Sequence, residues 1–496
     1  MLYDSNNIQL STTVYDVDTE DVAAKYRAWN WNVLECEGNS AESIRAALNA
    51  ALTEQERPTI IIGKTLMGFG AMDANGGSFE NKISTHGQPI SAAGADPRKT
   101  IENLGGDSEN PFVIFPEVEE LYRARREELR AWAAERKEVE RKWREENPEL
   151  SAKLDLFLSG KTPEIDYSKI EIAAGSATRN ASATILGAFA EQIENMVVAS
   201  ADLSNSDKTD GFLKKTHAFT KGDWSGKFFQ AGVSELTMAC IMNGMALHGG
   251  IIPACGTFFV FSDYMKPAVR LAALMRTHVI YIWSHDSFRV GEDGPTHQPI
   301  EHEAQIRLME HLKNHNGERS TLVLRAADGA EMVEAWKMAI EEERPVALIT
   351  SRQNIKDLPA ASGNRRAEAE GARKGGYVVW EAENAKATLL ASGSEVSTLI
   401  EGAELLAAEG INVRVVSIPS EGLFRDQSCE YQREVLGDLP RYGLTAGLPV
   451  TLEGLVGFGG RVHGVDHFGY SAPYKVLDEK FGFNGATVAA EVKELL

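Results

Sequence analysis

Short β-rich runs alternate with helical segments through most of the chain from Tyr167 onward. Before residue 357 the runs are Val197-Val198, Val279 to Trp283, Thr321 to Leu324 and Val346 to Ile349. Strands that alternate with helices in this way usually pair in parallel, with the helices covering the sheet. The pattern therefore predicts an α/β fold with doubly wound, mostly parallel sheets.

A second unit of this kind follows a polar stretch from Asp357 to Arg373, which has no apolar period. The run from Ala387 to Leu390, a helix that stops at Gly410, and the run from Val413 to Ile418 form a βαβ pattern. We therefore predict a domain boundary within the polar stretch.

The amino-terminal part of the chain lacks this regular alternation of strands and helices. The apolar run from Thr59 to Ile62 and the turn at Gly68 to Gly70 predict a buried strand followed by a loop.

From about Glu117 to Trp143 the sequence is dense in Arg and Glu, with apolar residues at roughly helical spacing. This predicts a long amphipathic helix. A solvated interdomain helix is favoured over a partner-binding arm.

Composition excludes several classes of protein. A chain of 496 residues is too long for one core. The net charge of −21 argues against a general nucleic-acid binder, because phosphate backbones require cationic surface. No apolar run reaches the ~20 residues of a membrane helix, and the first residues lack a secretion signal, so a cytoplasmic location is expected. Four scattered cysteines without CxxC spacing indicate neither disulfides nor a zinc site.

Four segments carry the candidate chemistry: Ser5-Asn6-Asn7-Ile8, Thr85-His86-Gly87, Gly232-Val233-Ser234-Glu235, and Gly291-Glu292-Asp293-Gly294-Pro295-Thr296-His297-Gln298-Pro299. In their order and spacing they resemble the transketolase family over nearly the whole chain. The resemblance implies a three-domain thiamine-diphosphate enzyme that moves two-carbon ketol units between sugar phosphates. It also implies a homodimer with the active site between subunits.

The resemblance suggests a division of the chain into five parts. Residues 1–115 match the carboxyl-terminal part of the diphosphate-binding domain, and 116–166 a helical linker. Residues 167–358 match the pyrimidine-binding domain, 359–372 a linker and 373–496 the carboxyl-terminal domain. The family's Gly-Asp-Gly motif occurs nowhere in the sequence. The first domain is therefore expected to be truncated, or else a separate chain supplies the missing half.

By resemblance, the Asn6 side chain and the Ile8 carbonyl are ligands of a Mg²⁺ or Ca²⁺ ion, and this ion binds the diphosphate of the cofactor. Hard cations of this kind prefer oxygen donors. Without the carboxylate of the Gly-Asp-Gly motif, metal affinity is expected to be low. His86 and Asp202 match residues beside the cofactor.

Glu235 is the residue on which the resemblance depends most. In the family a glutamate protonates the aminopyrimidine ring of the cofactor, a role that requires a partly buried carboxyl group. The flanking residues are small or apolar, and Ser234 stands where many relatives have Arg. Phe258, Phe261 and Tyr264 match the aromatic pocket of the ring, with Phe261 stacked on it.

The resemblance also implies a phosphate site and a reacting centre. Arg179, Ser206, His285 and Arg352 match the family's phosphate-binding residues, and guanidinium groups suit phosphate oxygens. His86 and His297 match catalytic residues that orient hydroxyls and move protons.

By resemblance, Asp293 matches a residue that recognises a hydroxyl of the acceptor sugar.

Two other interpretations of the chain's function stay open. The chain could be another thiamine-diphosphate enzyme, such as a dihydroxyacetone synthase, a deoxyxylulose-phosphate synthase or a 2-oxo acid dehydrogenase component. It could also be an inactive fragment or an assembly subunit.

Overall fold

The computed structural model describes residues 1–496. The chain divides into two compact units, residues 1–143 and 144–496. None of the helices combines the length and apolar character needed to cross a bilayer. The five-part division of the chain stays a prediction.

The first unit contains a parallel sheet of three strands in the order β1-β3-β2. The strands are β1 (Leu2–Ser5), β2 (Asn32–Glu37) and β3 (Thr59–Lys64). The helices around them are Val22–Ala28, Ala41–Thr53, Ile90–Ala93 and Pro97–Asn103. The central strand buries Ile60, Ile61 and Ile62, so the predicted strand at Thr59 to Ile62 is confirmed.

A long charged helix, Pro116–Glu146, is followed by a shorter one, Pro148–Leu158. The long helix buries none of its side chains, and ion pairs at i,i+3 spacing run along it, such as Glu138–Arg141 at 2.7 Å. The predicted amphipathic helix is confirmed, and its exposure agrees with a solvated helix.

The second unit begins with a fully parallel sheet of six strands in the order β5-β4-β6-β7-β9-β8. The strands are β4 (Met196–Ser200), β5 (Phe228–Gln230), β6 (Ile252–Phe258), β7 (Ile280–Ser284), β8 (Leu322–Arg325) and β9 (Val346–Thr350). The helices are Thr178–Gln192, Ser204–Asp207, Asp210–Leu213, Glu235–His248, Ser262–Met275, His302–His311 and Gly329–Glu341. The four strands predicted in this region are confirmed.

Helices cover both faces of this sheet, which explains why its strands are mostly apolar. On one face Phe189 packs edge-on against Trp336, with ring centroids 5.4 Å apart. On the other face Phe259 stacks with Trp283 at 5.6 Å.

A third sheet of five strands has the order β10-β12-β11-β13-β14. The strands are β10 (Tyr377–Trp380), β11 (Ala387–Ala391), β12 (Val413–Ser417), β13 (Arg441–Leu444) and β14 (Arg461–His463). The helices are Arg365–Glu368, Glu395–Ala408, Glu421–Asp426, Cys429–Leu436, Val450–Val456, Tyr474–Phe481 and Gly485–Leu495. Only β10 runs antiparallel to its neighbour, so the mostly parallel α/β class is confirmed.

Buried ion pairs connect the six-stranded and five-stranded sheets. Arg325, at the end of β8, contacts Glu395 and lies 2.7 Å from Asp286. Arg289 lies 2.6 Å from Glu395 and 2.6 Å from Asp478. Although burial raises the pKa of Glu395, the charges of Arg325 and Arg289 hold that pKa below its ordinary value. These pairs fix the two sheets against each other.

Replacing Arg325 with Met leaves Asp286 and Glu395 buried with one cation fewer. We expect this change to lower the free energy of unfolding by about 3–5 kcal/mol, because an uncompensated buried charge is costly. The exposed pair of Arg433 and Asp438, 4.0 Å apart, offers a matched control. Arg433→Met should change stability by less than about 1 kcal/mol in the same denaturant titration. Equal effects of the two substitutions would contradict the role given to Arg325.

Candidate functional site

The predicted site residues of the second unit lie at one edge of the six-stranded sheet, where its parallel strands end. Each residue follows a strand directly or by a short loop: Asp202 and Ser206 after β4, Glu235 after β5, Phe258, Phe261 and Tyr264 at and after β6, His285, Asp293 and His297 after β7, and Arg352 after β9. Arg179 joins them because its backbone N–H donates to the Ser351 carbonyl at 3.4 Å. The carboxyl edge of a parallel sheet is where ligands bind in open α/β folds.

Glu235 is the first residue of helix Glu235–His248 and is 8% exposed. The loop before it turns at Gly232, whose φ of 68° is in the left-handed region. The Ser234 hydroxyl donates to the Ala231 carbonyl at 2.8 Å, so Ser234 stabilises the loop. Glu235 thus presents a buried carboxyl group without a salt-bridge partner in the chain, as its expected role requires.

Four rings cluster beside the end of β6. Phe258 and Phe261 lie nearly parallel with centroids 5.8 Å apart. His285 stacks on Phe258 at 3.7 Å, and His297 meets Phe261 edge-on at 5.4 Å. Tyr264 lies 6.1 Å from Phe261 but is 62% exposed. The cluster offers flat apolar faces with imidazole nitrogens at their margin.

His285 is held neutral by its surroundings. It is buried, and its φ is 62°. Arg179 Nη1 lies 3.3 Å from His285 Nε2, and Ser284 Oγ lies 2.8 Å from Nδ1. Burial, together with the charges of Arg179, Arg352 and His297, lowers the pKa of His285 to about 2. Since Arg179 is always a donor, Nε2 accepts and Nδ1–H donates to Ser284.

Arg179 and Arg352 form a positive centre without a carboxylate neighbour in salt-bridge contact. Arg179 Nη1 donates to the Ser206 carbonyl at 2.8 Å, and its buried Nε has no hydrogen-bond partner. Burial lowers the pKa of Arg179, and the charge of Arg352 lowers it further. Two guanidinium groups close together and unneutralised favour an anionic ligand.

The loop from Gly291 to Pro299 is anchored to the last sheet region by Gln298. The Gln298 amide donates to the Gly291 carbonyl at 3.0 Å and to the Tyr470 carbonyl at 2.9 Å. Ser471 Oγ donates to the Glu292 carbonyl at 2.6 Å. Asp293 is exposed at the tip of this loop. The contribution of residues 470 and 471 was missed, because the sequence holds no local signal for contacts across 172 and 179 positions.

A second missed residue is Asp207, which is buried beneath the loop after β4. Ser200 Oγ donates to one of its oxygens at 2.7 Å, and the Thr209 N–H and hydroxyl donate to the other at 2.9 and 2.7 Å. Burial raises the pKa of Asp207. This network fixes the loop that carries Asp202, whose φ is 64°. The polar run Ser204 to Asp210 was the available signal.

Asn6, Ile8 and His86 lie in the first unit. Asn6 Oδ1 accepts a hydrogen bond from the Ile8 N–H at 2.9 Å, and Asn7 has a φ of 64°. This tight turn keeps amide and carbonyl oxygens close together, a donor set that suits a hard cation. His86 Nδ1 is buried without a hydrogen-bond partner, and no hydrogen bond links His86 with Asn6 or Ile8.

The whole chain aligns with the transketolase of Halalkalibacterium halodurans at 40% identity over 509 residues, covering 100% of this chain and 72% of the relative. The chain belongs to the transketolase family. Three family models match it. They are described as the transketolase thiamine diphosphate binding domain, over residues 1–163, the transketolase pyrimidine binding domain, over 174–357, and the transketolase-like C-terminal domain, over 375–484.

Solved transketolase structures also match the chain over its whole length. The transketolase of Leishmania mexicana matches with a TM-score of 0.88 at 30% identity, covering 100% of this chain and 70% of that one. A Pichia stipitis transketolase in complex with sedoheptulose 7-phosphate matches with a TM-score of 0.87 at 30% identity, covering 100% and 71%. The expectation of a truncated first domain is not supported, because the model of the thiamine diphosphate binding domain matches residues 1–163. A separate chain that carries the Gly-Asp-Gly motif stays a prediction.

His285 should remain neutral when histidines elsewhere take up protons, because its pKa lies at about 2. The unfolded chain binds this proton near the ordinary pKa of about 6.5, so folding stability should fall as the pH drops below that value. Imidazole ¹⁵N shifts measured against pH test this directly. Arg179→Gln should raise the pKa of His285 by removing a nearby positive charge, whereas Arg433→Gln should not. A His285 titration near neutral pH in the unchanged chain would contradict this electrostatic environment.

Proposed function

We propose that this protein is a transketolase, which transfers a two-carbon ketol group reversibly from a ketose phosphate such as xylulose 5-phosphate to an aldose phosphate such as ribose 5-phosphate. One observation carries the proposal beyond family membership. A buried carboxyl group, flat aromatic faces and two guanidinium groups without carboxylate partners lie at the carboxyl edge of one parallel sheet. Ring binding, proton transfer and anion binding are the tasks that this reaction requires.

The aromatic cluster and Glu235 fit the aminopyrimidine ring of thiamine diphosphate. When bound, this cofactor supplies the carbanion equivalent that breaks and forms the carbon–carbon bond. Phe258 and Phe261 would bind the ring and exclude water from its surroundings. Glu235, buried beside the aromatic cluster, would donate a proton from its carboxyl group to the ring nitrogen. Tyr264 and Asp202 would lie at the edge of the cofactor.

Oxygen donors in the first unit fit the metal that thiamine diphosphate requires. Asn6 Oδ1 and the Ile8 carbonyl would hold Mg²⁺ or Ca²⁺, since both are hard cations. Neither ligand carries a charge, so metal affinity depends on the diphosphate itself. His86 would lie near the reacting atoms.

The substrate's phosphate would bind at Arg179, Arg352 and the Ser206 loop. The positive centre there has no carboxylate to displace before an anion binds. His285 accepts a hydrogen bond from Arg179 and so orients the guanidinium group. His297, at the margin of the ring cluster, would move protons to and from substrate oxygens, and exposed Asp293 would contact an acceptor hydroxyl.

Apolar surface near the site supports a homodimer. Helix Glu235–His248 is apolar around most of its circumference, yet Leu236 and Leu247 remain exposed, as do Leu271 and Leu274 on the neighbouring helix. Exposed apolar surface of this kind is typical of an interface. A second copy of the chain would bury it, and sedimentation equilibrium measures this. The reaction and the acidic surface are consistent with a cytoplasmic enzyme of pentose phosphate metabolism.

The first test compares the unchanged chain with Glu235→Gln. With thiamine diphosphate and Mg²⁺, we expect the unchanged chain to form product from xylulose 5-phosphate and ribose 5-phosphate. Glu235→Gln should lower kcat at least about a hundredfold, because proton transfer by a positioned side chain contributes about 10²–10⁴-fold. Glu404→Gln, on an exposed helix face, is the matched control. Turnover of pyruvate alone, or equal activity of all three proteins, would contradict the proposal.

A second test separates phosphate binding from chemistry. Arg352→Gln should raise KM for xylulose 5-phosphate at least about tenfold, since a charge-assisted hydrogen bond contributes about 1.5–3 kcal/mol. The same substitution should leave KM for erythrulose, a ketose without phosphate, nearly unchanged. Arg433→Gln should affect neither. Equal losses with both donors would assign Arg352 a structural role instead.

A further inference from the structure

A second cluster of potential ligands lies where two helices begin, behind the ring cluster. His302 is the first residue of helix His302–His311, and Glu301 precedes it. Asp263 lies in the first turn of helix Ser262–Met275. One ligand atom from each of these three side chains can be chosen so that all lie within 4.8 Å of one another.

The imidazole of His302 is buried between two carboxylates without a well-formed hydrogen bond to either. It is 4% exposed, and neither ring nitrogen makes a hydrogen bond. Nε2 lies 3.2 Å from Asp263 Oδ2, and Nδ1 lies 3.6 Å from Glu301 Oε2. Buried polar atoms are nearly always satisfied in proteins. A buried imidazole that faces two carboxylates but is hydrogen-bonded to neither therefore favours a ligand that the three groups share.

The distances and donor types suit a metal ion. Ligand atoms bound at about 2.0–2.2 Å to a tetrahedral ion lie roughly 3.3–3.6 Å from each other, close to the 3.2 Å between His302 Nε2 and Asp263 Oδ2. Glu301 is partly exposed, so its side chain can turn toward the same nitrogen. One imidazole and two carboxylates favour a first-row transition ion over Mg²⁺.

Lys266 is the cation nearest to the cluster. Its ammonium group contacts Asp263 Oδ1 and Gln305 Oε1, which leaves Asp263 Oδ2 directed toward His302. The positive charge of Lys266 repels a bound cation. Its removal should therefore strengthen metal binding, an effect that a purely structural role of the cluster would not produce.

We propose that Asp263, Glu301 and His302 form a binding site for a divalent transition-metal ion such as Zn²⁺. The site uses none of the residues expected to hold the cofactor's own metal. A bound ion joins the start of helix Ser262–Met275, which directly follows Phe261, to the start of helix His302–His311. His302 also meets Phe259 edge-on at 5.7 Å, so the ion steadies the residue that directly follows Phe258 of the ring cluster.

The test is a calorimetric titration of the metal-stripped full chain with ZnCl₂, repeated with CoCl₂ while visible absorption reports the coordination of Co²⁺. We expect one tightly bound equivalent. His302→Gln should weaken binding at least about tenfold. His311→Gln, at the other end of the same helix, should leave the affinity unchanged. Lys266→Met should tighten binding several-fold through the loss of its charge.

Two further variants keep the proposal testable if His302→Gln does not fold, as judged by circular dichroism. Asp263→Asn and Glu301→Gln change exposed atoms and keep the side-chain shape, and each should weaken Zn²⁺ binding. The proposal is overturned if the unchanged chain binds no equivalent of Zn²⁺ or Co²⁺. It is also overturned if Asp263→Asn and Glu301→Gln both bind as tightly as the unchanged chain.

Discussion

The common direction of six strands determines where chemistry can occur in this protein. Because β4 to β9 all run parallel, the loops after them gather at one edge, and side chains far apart in sequence become neighbours. The loop after β4 carries Asp202, the loop after β5 carries Glu235, and β6 ends at Phe258. An antiparallel arrangement would divide these residues between two edges.

Charge is arranged in two contrasting ways around this edge. Arg325 and Arg289 form buried ion pairs with carboxylates, and these pairs hold two sheets together. Arg179 and Arg352 lie at the same edge of the sheet without a carboxylate in salt-bridge contact, so their charge is available for the phosphate that we propose they bind. An acidic chain with a net charge of −21 can thus hold an anion, since what matters is the local balance of charge. Mobile ions screen distant charges far more than they screen buried ones.

Much of the fold could be predicted from local patterns. The alternation of apolar runs and helices predicted the parallel sheets, because strand and helix periodicities are properties of short segments. The reversal of β10, the buried ion pairs and the contact of Gln298 with Tyr470 could not be predicted. Each of these depends on partners distant in sequence, and no periodicity encodes them.

The candidate site was predicted less completely. Glu235 was placed correctly in a buried position, since its neighbours are small or apolar. The stacking of His285 on Phe258 was not expected, because His285 was assigned to phosphate binding alone. Its neutrality follows first from burial and then from the charges of Arg179 and Arg352, all of which only the folded chain provides. The expected loss of part of the first domain rested on one absent motif, whereas the family match rests on 163 residues.

The backbone at His285 restricts how this enzyme can be re-engineered. A φ of 62° suits Gly, Asn, Asp and His far better than Val, Ile or Thr, whose branched side chains collide with the backbone there. Most replacements in a library that randomises position 285 should therefore lose about 1–2 kcal/mol of folding stability, the usual cost of the left-handed conformation. Asn is the replacement most compatible with this geometry, because it tolerates the conformation and keeps a hydrogen-bonding group beside Arg179.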